Sequence, residues 1–184
     1  RPMSMTARQW FPGILAPSEQ TFAFRSCHLR PESRGMVSMC SADPMDPVRI
    51  VNNFLSTDED RRVLRESFRI MRKLALQPAF DELRGEEFAP GTHVRDDDDE
   101  AIDAYVRQGL GTVYHPVSTC RMGIDDRAVV DGEMKVRGLE GLRVVDASVF
   151  PDLTGGNINA VVIMTAEKAS DIILGNTALA REAA

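Results

Sequence analysis

The sequence predicts an α+β chain: an antiparallel sheet with flanking helices, followed by a terminal strand and helix. Three observations carry that class. Alternation over Thr21–Leu29 and Gly35–Ser41, interrupted by Arg30-Pro-Glu-Ser-Arg34, reads as a β-hairpin. Two stretches of helical spacing, each opened by capping and acidic residues, lie between Ser56 and Gly109. A short β-branched run, Leu142–Val145, and a long apolar helix then close the chain.

Residues 1–20 contain Pro2, Pro12, Gly13 and Pro17 and read as a loop. After the hairpin, Ser41-Ala-Asp-Pro-Met-Asp-Pro47 is a second loop. Ser56 or Thr57 offers an N-cap, and Asp58, Glu59 and Asp60 complement the helix dipole. Val63, Leu64, Phe68, Met71 and Ala75 make one apolar stripe, so this helix runs to about Leu76. A helical turn is expected at Ala79–Leu83. Asp96–Asp99 caps a second helix over Glu100–Gln108, which Gly109 and Gly111 end.

The last third holds the chemistry. Gly111-Thr-Val-Tyr-His-Pro-Val-Ser-Thr-Cys-Arg-Met-Gly123 supplies an imidazole, His115. Leu142–Val145 reads as a fully buried strand that stops at Asp146, and a carboxylate at the carboxyl end of a strand is placed to meet a ligand. Small Ala147 and Ser148 behind it let a ligand approach the backbone. Pro151-Asp-Leu-Thr-Gly-Gly156 is a loop, and Asn157 or Asn159 begins the terminal helix. With no charge from Ala160 to Ala166, its first two turns are expected to be buried all round, and Gly175 fits the C′ position. A buried helix N-terminus carries unpaired amides that a developing anion would satisfy.

Composition bounds the rest. Of 184 residues, 43% are hydrophobic and 27% charged, ordinary for a globular chain of one core or a core with an appendage. A net charge of −6 argues against nucleic acid or an anionic membrane as the main partner. No apolar run reaches the ~18 residues of a transmembrane segment, and the opening residues lack the apolar centre of a signal peptide. Cys27, Cys40 and Cys120 are odd in number and without CxxC spacing, which favours reduced thiols and a cytoplasmic setting. Cys27 and Cys40 could still meet across the hairpin.

On local grounds His28 is structural and His93 lies in a surface loop. The acidic run Asp96–Glu100 is a solvated helix cap rather than a cation site, so no metal is expected. Cys120 packs rather than attacks, because no oxyanion donors accompany it. Asn157 and Asn159 are caps first, a role compatible with a site.

Several spaced motifs together carry a resemblance. His115-Pro-Val-Ser-Thr-Cys-Arg-Met-Gly123, Val129-Val-Asp131, Gly141-Leu-Arg-Val-Val-Asp-Ala-Ser148, Gly155-Gly-Asn-Ile-Asn-Ala160 and Ala166-Glu-Lys-Ala169 resemble the C-terminal signature of the glucose-methanol-choline (GMC) oxidoreductases, nearest the choline dehydrogenase-like branch. Leu29-Arg-Pro-Glu-Ser-Arg-Gly35, Ser41-Ala-Asp-Pro44 and Asn52–Leu55 are similar to that family's substrate domain.

The resemblance implies an FAD-dependent alcohol oxidoreductase in which His115 takes the alcohol proton while hydride passes to flavin N5. Asn157 matches the second catalytic position, with Asn159 close enough to compete for it. Asp146, Ala147, Asn159 and Ala160 match cofactor-facing positions. Residues 1–110 would belong to the substrate-binding domain and 111–141 to the histidine strand and its connection. Residues 142–184 would complete a Rossmann-like FAD domain. No G-x-G-x-x-G turn occurs, so FAD is expected to be held mainly by an N-terminal portion outside this chain, and the piece alone to be inactive and to expose apolar faces. Ser118 stands where the family commonly has Gly, and Val161 where Pro often follows the Asn-Ala pair. Two rival readings remain: a non-redox FAD lyase of the same family, and a flavin-free binding module.

Overall fold

In the computed structural model the described residues are 22–177, so the expected loop at 1–20 and Thr21 lie outside them. They form two compact units that interleave along the chain. One gathers the described residues up to His28 with Thr57–Gly111; the other gathers Leu29–Ser56 with the described residues from Thr112 onward.

The first unit is a helix pair. Helix α1, Asp58–Ala75, is capped by Thr57, whose side chain accepts from the Asp60 amide at 3.2 Å. Helix α2, Asp99–Gly109, is capped by Asp98, which accepts from the Ala101 amide at 2.9 Å. Phe68, Val94 and Ile102 form the buried core between them, with the Phe68 and Tyr105 rings edge to face at 5.9 Å. Arginines on α1 lace this core to the acidic run, Arg65 to Asp99 at 3.4 Å, Arg69 to Asp99, and Arg72 to Asp96 at 2.7 Å, and Arg65 also reaches Asp103 within α2 at 3.0 Å. The run is therefore a cap, as its position at a helix start implies, and its carboxylates are also the arginines' partners. The turn expected at Ala79–Leu83 is a 3₁₀ turn at Pro78–Phe80.

The expected strand over 21–29 is not formed among the described residues. Side chains hold this segment instead: Phe22 stacks on Phe80, Phe24 meets Phe80 edge to face, and His28 Nε2 lies 3.2 Å from the buried carboxylate of Asp60. Those contacts use long-range neighbours that alternation along the chain does not encode.

In the second unit, strand β1, Met36–Ser38, pairs antiparallel with β2, Arg49–Val51, so its partner lies downstream rather than upstream. The loop 41–47 is the connection of this hairpin, folded on itself by Asp43 and Ser41, whose side chains accept from the amides of Met45 at 2.9 Å and Asp43 at 3.0 Å. The chain beside the hairpin passes so close that a Cβ on Gly35 would stand 2.3 Å from the Val51 carbonyl oxygen. Only glycine fits there.

Val130, Met134, Val149, Phe150, Ile158 and Ala169 make the unit's buried core. Leu142–Val145 is extended but makes only an isolated bridge, Lys135 with Arg143, and Leu142 is exposed. A strand buried on both faces needs neighbours on both edges, and here it has one bridge. Helix α3, Asn159–Leu174, ends at Gly175 in the left-handed conformation (φ 69°), as the C′ glycine predicts. Its first turns are not buried all round: Ile163 and Met164 are exposed, as are Ile173 and Leu174 near its end. Val161, Val162 and Ile172 face the core from its other side. No helix among the described residues is long and apolar enough to cross a membrane.

Candidate active site

The segment that carries His115 is fixed by backbone bonds to the turn that follows Val145. Cys120 N donates to Ser148 O at 3.0 Å and Met122 N to Val149 O at 2.8 Å. Val117 packs on the core from the same segment. Tyr114 and Ser118, flanking this stretch, both have positive φ, 63° and 74°. The glycine commonly found at position 118 in the resembling family is thus explained by the backbone: the position asks for the left-handed conformation, which glycine adopts at no steric cost.

The turn itself is made by Asp146, whose Oδ1 accepts from the Ser148 amide at 2.7 Å and opens a 3₁₀ turn over Ala147–Val149. Val149 and Phe150 then go into the core, the chain runs exposed or half-exposed from Pro151 to Asn157, and Ile158 returns inside. Burial at both ends sets the span of this loop. At its far end the site closes: His115 Nε2 lies 3.1 Å from Asn157 Oδ1, across 42 residues of sequence. His115 is half-buried and Asn157 exposed, so the pair stands at the surface of its unit.

Asn157 therefore spends its side chain on the imidazole and not on a cap. Ile158 occupies the N-cap position of α3 with no side-chain bond, and the first intrahelical contact is Val162 N to Ile158 O at 2.9 Å. The leading amides of α3 keep their donors available at the positive end of the helix dipole. Asn159 and Ala160 are exposed in that first turn. Of the positions expected from sequence, His115 and Asn157 meet directly. Ala147 lines the core, Asp146 caps its own turn, and Asn159 and Ala160 mark the helix start.

Residues outside that set also shape the site. Arg34 reaches Asp152 at 3.4 Å, and the Arg30 guanidinium lies where a Cβ on Gly155 would be 3.2 Å from its Nη2. The motif Leu29–Gly35 was visible in the sequence, but nothing local indicated that it faces the 151–157 loop. The three cysteines are free, and no cluster of His, Cys, Asp and Glu suited to a metal occurs among the described residues.

The family model described as GMC oxidoreductase matches residues 31–166. The chain belongs to that family. Among curated GMC relatives it is 47% identical over 152 residues to an oxygen-dependent choline dehydrogenase of Photobacterium profundum, covering 82% of this chain and 26% of that protein. It is 44% identical over 174 residues to an oxygen-dependent choline dehydrogenase of Escherichia coli, covering 95% and 31%. The chain thus spans between a quarter and a third of the length of these relatives.

Solved GMC structures agree on the fold. Pyridoxine 4-oxidase from Mesorbium loti superposes with a TM-score of 0.75 at 32% identity, covering 82% of this chain and 29% of that one. A fungal aryl-alcohol oxidase gives 0.71 at 37% identity, covering 80% and 24%. An FAD-dependent oxidoreductase from Chaetomium thermophilum gives 0.74 at 34% identity, covering 80% and 26%.

Proposed function

We propose that this chain carries the proton-transfer residues of a flavin-dependent alcohol oxidoreductase, with His115 as general base and Asn157 as its orienting partner. The observation that carries the reading is the 3.1 Å contact between His115 Nε2 and Asn157 Oδ1 at the start of α3. An imidazole titrates near neutrality and can take a hydroxyl proton that a carboxylate or a lysine would handle less well. An amide offers a donor and an acceptor at one position. An alcohol hydroxyl that enters between the two groups gives its proton to the imidazole nitrogen while its oxygen accepts from the turned amide. The substrate oxygen is then held in one orientation as it becomes an alkoxide.

The residues at the helix start fit one edge of FAD: the leading amides of α3 have no side-chain cap, and Ala160 leaves room beside them. When bound, FAD supplies the hydride acceptor that no side chain here provides. Asn159, Ala160 and the α3 amides would hold its reacting end, with Asp146 and Ala147 contributing at the neighbouring turn. On this reading residues 1–110 belong to the substrate side and 111–141 bring in the histidine. Residues 142–184 would complete a Rossmann-like FAD domain whose phosphate-binding turn lies outside this chain. Three free thiols are in keeping with a cytoplasmic setting.

The test is an anaerobic absorption spectrum of the full-length gene product before and after addition of a panel of alcohols. Flavin absorbance that bleaches with one alcohol, and does so ~10²–10⁴-fold more slowly in His115→Ala, is expected. Bound flavin that no alcohol reduces would favour a non-redox lyase, and absence of flavin would favour a binding module. Unchanged bleaching in the His115 variant would remove the base assignment.

A further inference from the structure

The loop Pro151–Asn157 carries Asn157 to His115, yet it buries nothing between Phe150 and Ile158, which are 5% and 9% exposed. Burial at its ends fixes the span of this seven-residue loop, and the path of the chain between them is left to whatever tethers it. Apart from Asn157 itself, two contacts among the described residues reach it: the ion pair of Arg34 with Asp152, and the Arg30 guanidinium beside Gly155. The first joins two side chains that are 60% and 58% exposed and stand 3.4 Å apart, which makes it weak. The second sits two residues before Asn157. It is also shaped to the backbone: Gly155 has φ 76°, and a Cβ there would stand 3.2 Å from Arg30 Nη2 and 3.8 Å from its Cζ.

The turn that presents Arg30 is held by several contacts. Asn53 Nδ2 donates to Arg34 O at 3.0 Å, Ser56 N donates to Ser33 Oγ at 2.9 Å, and Gly35 lies against the Val51 carbonyl. Arg34 Nη1 donates back to Pro31 O at 2.6 Å, closing the turn behind Arg30. The turn therefore presents the exposed Arg30 guanidinium beside a glycine whose φ of 76° disfavours any side chain. A Cβ at 155 would shift the guanidinium by a few tenths of an ångström and strain the backbone at its positive φ.

We propose that Arg30 is a positioning residue: by seating on Gly155 it holds the 151–157 loop so that the Asn157 amide faces His115 Nε2. This rests on the reading of His115 and Asn157 as the proton-transfer pair, and it adds a distant determinant of their alignment. Arg30 does not touch the reacting atoms. It acts through the backbone of Gly155, and the same logic makes Gly155 a partner in the device.

The experiment follows the His115 ring nitrogens by ¹⁵N NMR in the full-length gene product, with turnover measured in parallel. Asn157→Ala gives the reference signature of an imidazole that has lost its partner. Arg30→Ala is expected to move the His115 Nε2 resonance toward that reference, and Arg30→Lys, which keeps the charge but not the planar face, to move it part of the way. Gly155→Ala is expected to match Arg30→Ala. Alcohol turnover falls on the order of 10-fold in kcat with little change in KM, as expected for misalignment and not lost binding. Asp152→Ala, which removes the exposed ion pair but keeps the Arg34 bond to Pro31 O, leaves the resonance in place. A His115 signal that responds to Asn157→Ala but not to Arg30→Ala or Gly155→Ala overturns the proposal. A signal that ignores Asn157→Ala instead removes the pair itself, and with it the reading on which the proposal rests.

Discussion

Replacing Arg72 with Ala should open the helix pair more than any other single change on its surface. The Arg72 side chain is 16% exposed and makes five hydrogen bonds. Two go to part-buried backbone carbonyls, Val94 O at 2.6 Å and Gly91 O at 3.0 Å. These anchor the loop that leads into α2. Leaving the two carbonyls unpaired costs about 1–1.5 kcal/mol each. The guanidinium also lies 4.5 Å from the centroid of Phe68, a contact that contributes roughly 0.5 kcal/mol. Glu87 and Asp96 are more exposed and can turn to water, so their loss adds little. The total is about 3 kcal/mol, or about a hundredfold in the opening constant. Native-state hydrogen exchange at the Ile102 amide, which donates to the carbonyl of the cap residue Asp98 at the start of α2, reads that opening directly. Arg72→Lys should recover only a minor part, because an ammonium cannot span both carbonyls and Glu87 in one plane. Arg62→Ala, which removes a surface pair with Glu59 one turn away, should leave the exchange unchanged. Exchange in Arg72→Ala within threefold of the parent would refute the assignment of Arg72 as the anchor.

Further outcomes follow from the same structure. Gly35→Ala forces a Cβ against the Val51 and Asn52 carbonyl oxygens at 2.3 and 2.9 Å, so the β1–β2 amides should lose protection, at a cost of about 1–3 kcal/mol. Intact protection at Met36 and Val51 would contradict that close approach. Ser118→Gly relieves a left-handed backbone at φ 74° and should raise thermal stability by about 0.5–1 kcal/mol after the entropy of the unfolded glycine is counted, checked by a melting curve. A loss of stability would show that the Ser118 hydroxyl matters more than its φ. The Arg121 guanidinium, helped by the Arg127 amide, holds the Asp125 carboxyl down at about 2. Because the folded value lies below the unfolded one, this interaction stabilises the fold at pH above ~4 and is lost as pH falls toward 2. An NMR titration of Asp125 should show the low midpoint, and Arg121→Gln should return it toward ~4.

Much of the helical architecture was legible because its causes are local. Thr57 and Asp98 cap α1 and α2, acids crowd each first turn, and Gly175 ends α3 in the conformation only a glycine takes easily. The hairpin was legible only in part. Alternation marked β1, but the choice between an upstream and a downstream partner depended on Phe22, Phe24 and His28 finding Phe80 and Asp60, which no periodicity records. The burial expected for the first turns of α3 follows from its composition, yet it requires a neighbour on the side where Ile163 and Met164 stand exposed.

The sequence by itself determined which chemical groups this protein has: one imidazole in a His-Pro motif, an Asn-rich helix start, and the ordered motifs of the GMC oxidoreductases. Each of these is a property of residue type and spacing. Tertiary structure alone decided that His115 and Asn157 meet at 3.1 Å, that Asp146 turns to its own backbone, and that Arg30 rests on Gly155. The physical reason is that these contacts join segments tens of residues apart. Their distance is set by how Phe150 and Ile158 bury at the two ends of one loop and how Gly35 lets the chain close against Val51, and neither packing decision is written in any local stretch of the chain.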